Sequence, residues 1–246
     1  MPKIELYRGD CLDVMDELAK MGVTVDAIIT DIPYGTTACS WDVVIPFDEM
    51  WDRIERIKKD NCPVVLFSSQ PFTTKLINSN IDNYGYELIW KKNVPTGMTQ
   101  AKYRPMKYHE NVQCFYMKGT TYNPIMKDRV GKHKECYNYD HYCGKNNHLD
   151  LKKIKKKYDP DFVQPSSILE FNVVPNRNGK LHPTQKPVEI LEWLIKTYTN
   201  EGDTVLDFTM GSGSCGVACK NLNRKFIGIE LDENYFNIAK ERIENV

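Results

Sequence analysis

No apolar run in this 246-residue chain approaches the roughly 20 residues that a membrane-spanning helix needs. Met1-Pro2-Lys3-Ile4-Glu5 has no apolar core of the kind a secretion signal carries. Cysteine lacks pattern rather than number. Cys11, Cys39, Cys62, Cys114, Cys136, Cys143, Cys215 and Cys219 are scattered with no Cys-x-x-Cys pair, in a chain too large to need covalent staples. Reduced thiols in a cytoplasmic compartment, with no membrane association, are the expectation. Repeats and low-complexity linkers are also missing. Apolar residues make up 41% of the chain, which excludes a disordered polypeptide and leaves room for a substantial core.

Net charge is zero, 33 Lys+Arg against 33 Asp+Glu, but its distribution is uneven. Residues 91–157 hold 16 basic and 5 acidic side chains, and the remainder holds 17 and 28. One basic face on an acidic body fits a polyanionic partner.

The apolar stretches alternate in kind. Ile4–Tyr7 reads as a short strand before the turn Arg8-Gly9-Asp10, and Leu12, Met15, Leu18 and Ala19 recur at helical spacing. Residues 25–30 form a buried strand, Trp41 and Asp42 close a polar loop, and Phe47, Met50, Trp51, Ile54 and Ile57 make one helical stripe. Pro63–Ser69 is a strand, 72–79 a helix, and Tyr86–Trp90 another strand. This rhythm predicts an α/β fold, a doubly wound and mostly parallel Rossmann-like sheet. It breaks after Lys91. Asn111–Tyr116 is the one further strand before 165, expected near the sheet edge, and 120–165 is read as an inserted lobe in a domain made of 1–119 and 166–246. Order returns with the helix after Pro187, the strand Thr204–Phe208, a helix from about Cys215, the strand 225–229 and a last helix capped by Asp232.

Two places concentrate chemistry. The strand ending at Thr30 runs into Asp31-Ile32-Pro33-Tyr34-Gly35. At the carboxyl end of a parallel strand, an acid beside a rigid aromatic suits a flat substrate with a polar edge. The second is Asp207-Phe208-Thr209-Met210-Gly211-Ser212-Gly213-Ser214, a strand, a glycine turn and a helix start, with Glu230 ending the next strand where a ribose-binding acid is expected. Gly211 and Gly213 would let backbone approach a ligand closely. The loop lacks a Walker lysine, and a nucleoside cofactor without phosphates is expected rather than a dinucleotide or ATP. His133, Cys136, His141, Cys143 and His148 crowd the insert, but their spacing matches no zinc pattern and no metal is expected.

These residues resemble the beta arrangement of the S-adenosylmethionine-dependent DNA amino-methyltransferases, the adenine-N6 and cytosine-N4 family. Its catalytic Asp-Pro-Pro-Tyr falls on Asp31, Ile32, Pro33 and Tyr34, with Ile32 the departure. Its cofactor loop falls on Asp207, Phe208, Gly211, Ser212, Gly213 and Ser214, and its ribose acid on Glu230. His182-Pro183-Thr184-Gln185-Lys186-Pro187 resembles the motif near the cofactor's methionine end, so His182, Thr184 and Lys186 join the cofactor set. Gly9-Asp10 matches the position near the adenine ring. Catalytic motif first, insert next and cofactor loop last is a circularly rearranged order, with the strand Ile4–Tyr7 expected beside the cofactor strands.

The resemblance implies methyl transfer to adenine N6 in a flipped-out base of double-stranded DNA. Asp rather than serine at position 31 leans away from cytosine N4. An RNA or protein-amide methyltransferase would place the cofactor loop before the catalytic motif, and a silent DNA-binding module would not need Asp31, Tyr34, Gly211 and Gly213. A Pro-Cys nucleophile for carbon methylation is absent. Lys91, Lys92, Lys102, Arg104 and Lys107 are the expected phosphate contacts, the insert is the expected target-recognition region, and a homodimer is implied by the resemblance alone.

Overall fold

A computed structural model describes residues 2–36, 42–129, 161–175, 181–182 and 184–246. The chain divides into two compact units, Met1–Asn123 with Ser166–Val246, and Pro124–Pro165. In the first, β1 (Ile4–Arg8), α1 (Cys11–Lys20), β2 (Ala27–Thr30), α2 (Phe47–Ile57), β3 (Val64–Ser68) and α3 (Phe72–Asn78) follow one another. A long hairpin comes next, β4 (Tyr84–Thr96) and β5 (Lys107–Phe115). The second unit shows β6 (Lys127–Asp128) antiparallel to β7 (Phe162–Val163). The first unit resumes with β8 (Ile168–Glu170), α4 (Val188–Tyr198), β9 (Thr204–Asp207), α5 (Ser214–Asn221), β10 (Lys225–Glu230) and α6 (Glu233–Glu244).

Eight strands form one sheet in the order β1-β10-β9-β2-β3-β5-β4-β8. The first five are parallel, β5 runs antiparallel to both neighbours, and β8 is parallel to β4. Consecutive residues of the central strands are buried on opposite faces, which is why they read as unbroken apolar runs. Ile28, Leu66 and Leu206 pack under α1, α2 and α3, while Ile29, Val65 and Val205 pack under α4, α5 and α6. The stripe Met50, Trp51, Ile54 and Ile57 faces the first of these cores. Asp10 and Asp232 cap α1 and α6 by accepting hydrogen bonds from first-turn backbone N–H groups.

β1 lies beside β10, as the rearranged motif order implies. β9 and β2 are adjacent, yet β9 leads through α5 to β10 on one side and β2 leads through α2 to β3 on the other. Strand ends that diverge in this way open a crevice, the usual ligand position in an open α/β sheet.

The 111–116 strand lies between β3 and β4, third from the β8 edge, but the hairpin is longer than expected: β4 runs past Lys91 to Thr96 and pairs with residues from Lys107. Polar residues and Pro95 hide this strand from a hydrophobic pattern; cross-strand pairing supplies what propensity does not. The zinc candidates His133, Cys136, His141, Cys143 and His148 lie outside the described residues, as do Trp41 and Pro183. Among the described residues, no helix is long and apolar enough to cross a membrane.

Candidate active site

The turn after β2 is held in place from several sides. Pro33 fixes its own φ, and Gly35 adopts φ +67°, where an added Cβ would lie 2.8 Å from Val44. The Asp42 carboxylate accepts hydrogen bonds from the Gly35 and Thr36 N–H groups, both at 2.8 Å. Ile32 turns its side chain into the core under α1 and α2, so an apolar residue fits there as proline would. Thr209 Oγ1 donates to the Asp31 backbone carbonyl at 3.2 Å and lies 2.7 Å from Thr30 Oγ1. Thr30 donates in turn to Asp207 at 2.6 Å. These hydroxyls tie the two motif-bearing strand ends together.

Two cavities meet at this junction. The first, about 280 Å³, is lined by Gly9, Asp10, Phe208, Gly211 and Glu230 among others, and the second, about 410 Å³, by Ile32, Tyr34, Trp90, Lys92 and Glu110 among others. Asp31, Pro33, Thr184, Gln185 and Lys186 line both. The two cavities are therefore neighbours across these five residues, Asp31 and Lys186 among them.

In the first cavity the Glu230 carboxylate is aimed by the backbone, accepting from Gly211 N–H at 2.9 Å and Asp232 N–H at 2.8 Å. A carboxylate has about four lone-pair sites, so each oxygen keeps acceptor capacity for a ligand hydroxyl. Burial pushes the Glu230 carboxyl up, against the pull of those N–H groups. Burial also lifts Asp207 to about 7, despite the hydrogen bonds from Thr30 and Thr209 that oppose it. Gly211, Gly213 and Gly216 fall at the Gly-x-Gly-x-x-Gly spacing shared by dinucleotide loops. Here the Gly211 N–H is engaged by Glu230 rather than left for a phosphate.

The predicted cofactor residues separate into two groups. Asp10, Phe208, Gly211 and Glu230 line the first cavity, as do His182 and Thr184, and the His182 ring meets Tyr235 edge-on at 4.2 Å. Ser212 and Ser214 also line it, but Arg242 donates to both side chains, at 3.4 and 3.0 Å. Gly213 does not line it. Its φ is +75°, and a Cβ there would meet Ala239 of α6 at 2.9 Å, so this glycine serves helix packing.

Lys186 stands at the junction, 8% exposed. Its ammonium donates to Asp31 Oδ2 and lies 3.4 Å from Glu110 Oε2. Lys92, 4% exposed, donates to Glu110 Oε1 at 3.0 Å. Tyr34 donates to Asp31 Oδ1 at 2.6 Å, and one face of its ring stacks on Phe72 at 5.1 Å. Burial pushes the Asp31 carboxyl up, with Lys186 pulling against it and Glu110 adding to it. Burial acts the same way on Glu110, but Lys186 and Lys92 outweigh it and hold that carboxyl low. Burial opposes the Lys186 charge, and the two acids overcome it and raise the ammonium. The proton therefore stays on Lys186.

Lys92 is thus no phosphate contact. Lys107 is half-buried on Ser69 Oγ at 2.6 Å, and Lys91 is exposed but paired with Glu170 at 3.1 Å. Lys102 and Arg104 are exposed in the connection between β4 and β5. Sequence reasoning missed Thr30, Thr209 and Glu110. The one available signal was Glu110 itself, an acid inside the most basic stretch of the chain.

Comparisons with known proteins give the family and the fold. A family model described as DNA methylase matches residues 25–241. The type II methyltransferase M.HpaI of Haemophilus parainfluenzae is 29% identical over 242 residues, 90% of this chain and 69% of that one. The type II methyltransferase M2.DpnII of Streptococcus pneumoniae is 29% identical over 214 residues, 83% and 71% of the two chains. The crystal structure of an M1.HpyAVI–SAM complex superposes with a TM-score of 0.67 at 27% identity, covering 98% of each chain. The cytosine-N4-specific PvuII DNA methyltransferase superposes with a TM-score of 0.62, covering 99% of this chain and 90% of that one; at 14% identity it shows the shared fold alone.

Proposed function

This chain belongs to the DNA methylase family whose model spans its residues 25–241, and from that premise we propose that it methylates adenine N6 in double-stranded DNA, using S-adenosylmethionine. The observation that carries the reading is the junction of two cavities at Asp31 and Lys186, with the Asp31–Tyr34 turn on one side and Glu230 on the other. A solved relative bound to SAM lends the cofactor. The residues suit it: Glu230 offers acceptors for ribose hydroxyls, Asp10 and Phe208 line the same cavity, and the Gly211 N–H is already engaged rather than waiting for a phosphate. His182 and Thr184 would border its methionine end.

Bound there, the cofactor supplies an electrophilic methyl group on a sulfonium. The protein's task is the nucleophile. An adenine amino nitrogen is weak because its lone pair is delocalised into the ring. Asp31 and the Ile32 carbonyl would accept hydrogen bonds from its two N–H groups and favour a more tetrahedral nitrogen, aimed across the junction. The raised Asp31 carboxyl suits it to receive the proton that the methylated nitrogen sheds. Trp90, Val94 and Pro95 give the second cavity apolar walls for a flipped base, whose extrusion costs a few kcal/mol. Tyr34 can stack only with the ring face away from Phe72. Lys102 and Arg104 are the best-placed of the predicted phosphate contacts, and residues 120–165 would read the target sequence.

Modified-base sequencing of DNA from cells expressing the protein, beside Asp31→Ala, tests the reading. One sequence motif methylated at adenine N6 and lost in the variant is expected. Cytosine N4 in its place would keep the chemistry and overturn the base; no modified base from soluble protein would overturn both.

A further inference from the structure

Both oxygens of Asp31 are engaged within the protein, Oδ1 by Tyr34 and Oδ2 by Lys186. An amino group arriving in the second cavity therefore finds its intended acceptor occupied by an ammonium, a stronger donor. Lys186 cannot simply withdraw, because an unpaired ammonium at this depth is heavily penalised.

A second carboxylate lies within reach. Glu110 Oε2 is buried and already forms a long ion pair with Lys186 Nζ at 3.4 Å, short of a well-formed hydrogen bond. Its other oxygen is pinned by Lys92 at 3.0 Å, which keeps Oε2 aimed at the junction. The Lys186 ammonium also lies 5.0 Å from the Phe67 ring centroid, a surface over which it can turn. A small rotation of Nζ exchanges one carboxylate for the other without leaving any charge alone.

We propose that Lys186 and Glu110 form a carboxylate-exchange pair that clears Asp31 for the target amino group, Lys186 turning from Asp31 Oδ2 to Glu110 Oε2 as the base enters. This rests on the reading of Asp31 as the amino-group acceptor. Both are positioning residues, and neither forms a bond to the methyl group. A purely structural Glu110 would neutralise Lys92 and Lys186 and do nothing more, and the two roles separate in a double-mutant cycle.

The measurement is single-turnover methyl transfer from S-adenosylmethionine to duplex DNA by wild type, Glu110→Gln, Lys186→Met, the double variant and Glu110→Asp, with cofactor affinity measured alongside. Glu110→Gln removes the second negative charge and leaves only a neutral amide oxygen for Lys186, so the transfer rate is expected to fall about 30-fold while cofactor affinity stays within about twofold. Removing the lysine as well should restore about tenfold of that loss, because the obstruction leaves with it. Glu110→Asp keeps the second acid and should retain a rate within about fivefold of wild type; it carries the test if Glu110→Gln folds poorly. A double variant as slow as Glu110→Gln, a Glu110→Gln at full rate, or a Glu110→Asp as slow as Glu110→Gln would each overturn the exchange. If wild type itself transfers no methyl group, it is the reading of Asp31 that fails.

Discussion

Gly211 and Gly213 sit two residues apart in one loop, both with positive φ, at +51° and +75°, and alanine should affect them differently. A Cβ on Gly213 would lie 2.9 Å from Ala239 Cβ, 3.0 Å from Ala239 Cα and 3.1 Å from Ile243 Cδ1. Backbone on a neighbouring helix cannot give way as a flexible side chain would. Left-handed strain of about 1–2 kcal/mol and overpacking of about 1–3 kcal/mol together place Gly213→Ala about 2–5 kcal/mol below wild type. Among the described residues, the nearest atoms to a Cβ on Gly211 belong to the His182 ring, at 3.8 Å, ordinary contact distance. Only the strain remains there, about 1–2 kcal/mol. At about 2–4 °C per kcal/mol, scanning calorimetry of the cofactor-free protein should show Tm losses of about 4–20 °C for Gly213→Ala and about 2–8 °C for Gly211→Ala, with Gly213→Ala the lower of the two. Titration with S-adenosylmethionine should show the reverse ranking, since Gly211 lines the first cavity and Gly213 does not. A Gly211→Ala protein less stable than Gly213→Ala would refute the division of this loop into a packing glycine and a site glycine.

Burial lifts the Asp207 carboxyl from its ordinary 3.8 to about 7 in the fold, so between those values the native state holds more protons than the unfolded one. Its contribution therefore weakens stability as pH rises from about 4 to 7, and denaturant unfolding should find Asp207→Asn gaining on wild type across that range. Thr209→Val cuts the tie to the Asp31 carbonyl and should lower the methyl-transfer rate about tenfold, with stability changed by only about 1 kcal/mol. Arg104→Ala should weaken DNA binding and flatten its salt dependence by about one ion per site in fluorescence-anisotropy titrations, while Lys92→Ala should leave that slope unchanged and impair transfer instead.

The parallel half of the sheet was legible because its strands are buried on both faces and alternate with helical stripes such as Met50, Trp51, Ile54 and Ile57. Asp31 and Glu230 were legible because strand ends collect chemistry in such folds. What escaped depends on partners far away in the chain. Lys186 stands in a motif ascribed to the cofactor, yet its strongest contact is to Asp31, 155 positions earlier. Glu110 belongs to a strand whose register is set by pairing with β3 and β4, and nothing local says that its side chain faces the junction. Lys92 looked like its exposed neighbour Lys91, but strand alternation turns one inward and the other out. Gly213 has the same local signature as Gly211 and differs only in what α6 brings against it.

Nucleoside mass spectrometry is the most direct check on the central claim. Duplex DNA is treated with purified protein and isotopically labelled S-adenosylmethionine, digested, and its methylated nucleosides identified. Labelled N6-methyldeoxyadenosine from wild type, and none from Asp31→Ala that still binds the cofactor, is the predicted result. Label in N4-methyldeoxycytidine, or transfer undiminished in Asp31→Ala, would contradict it.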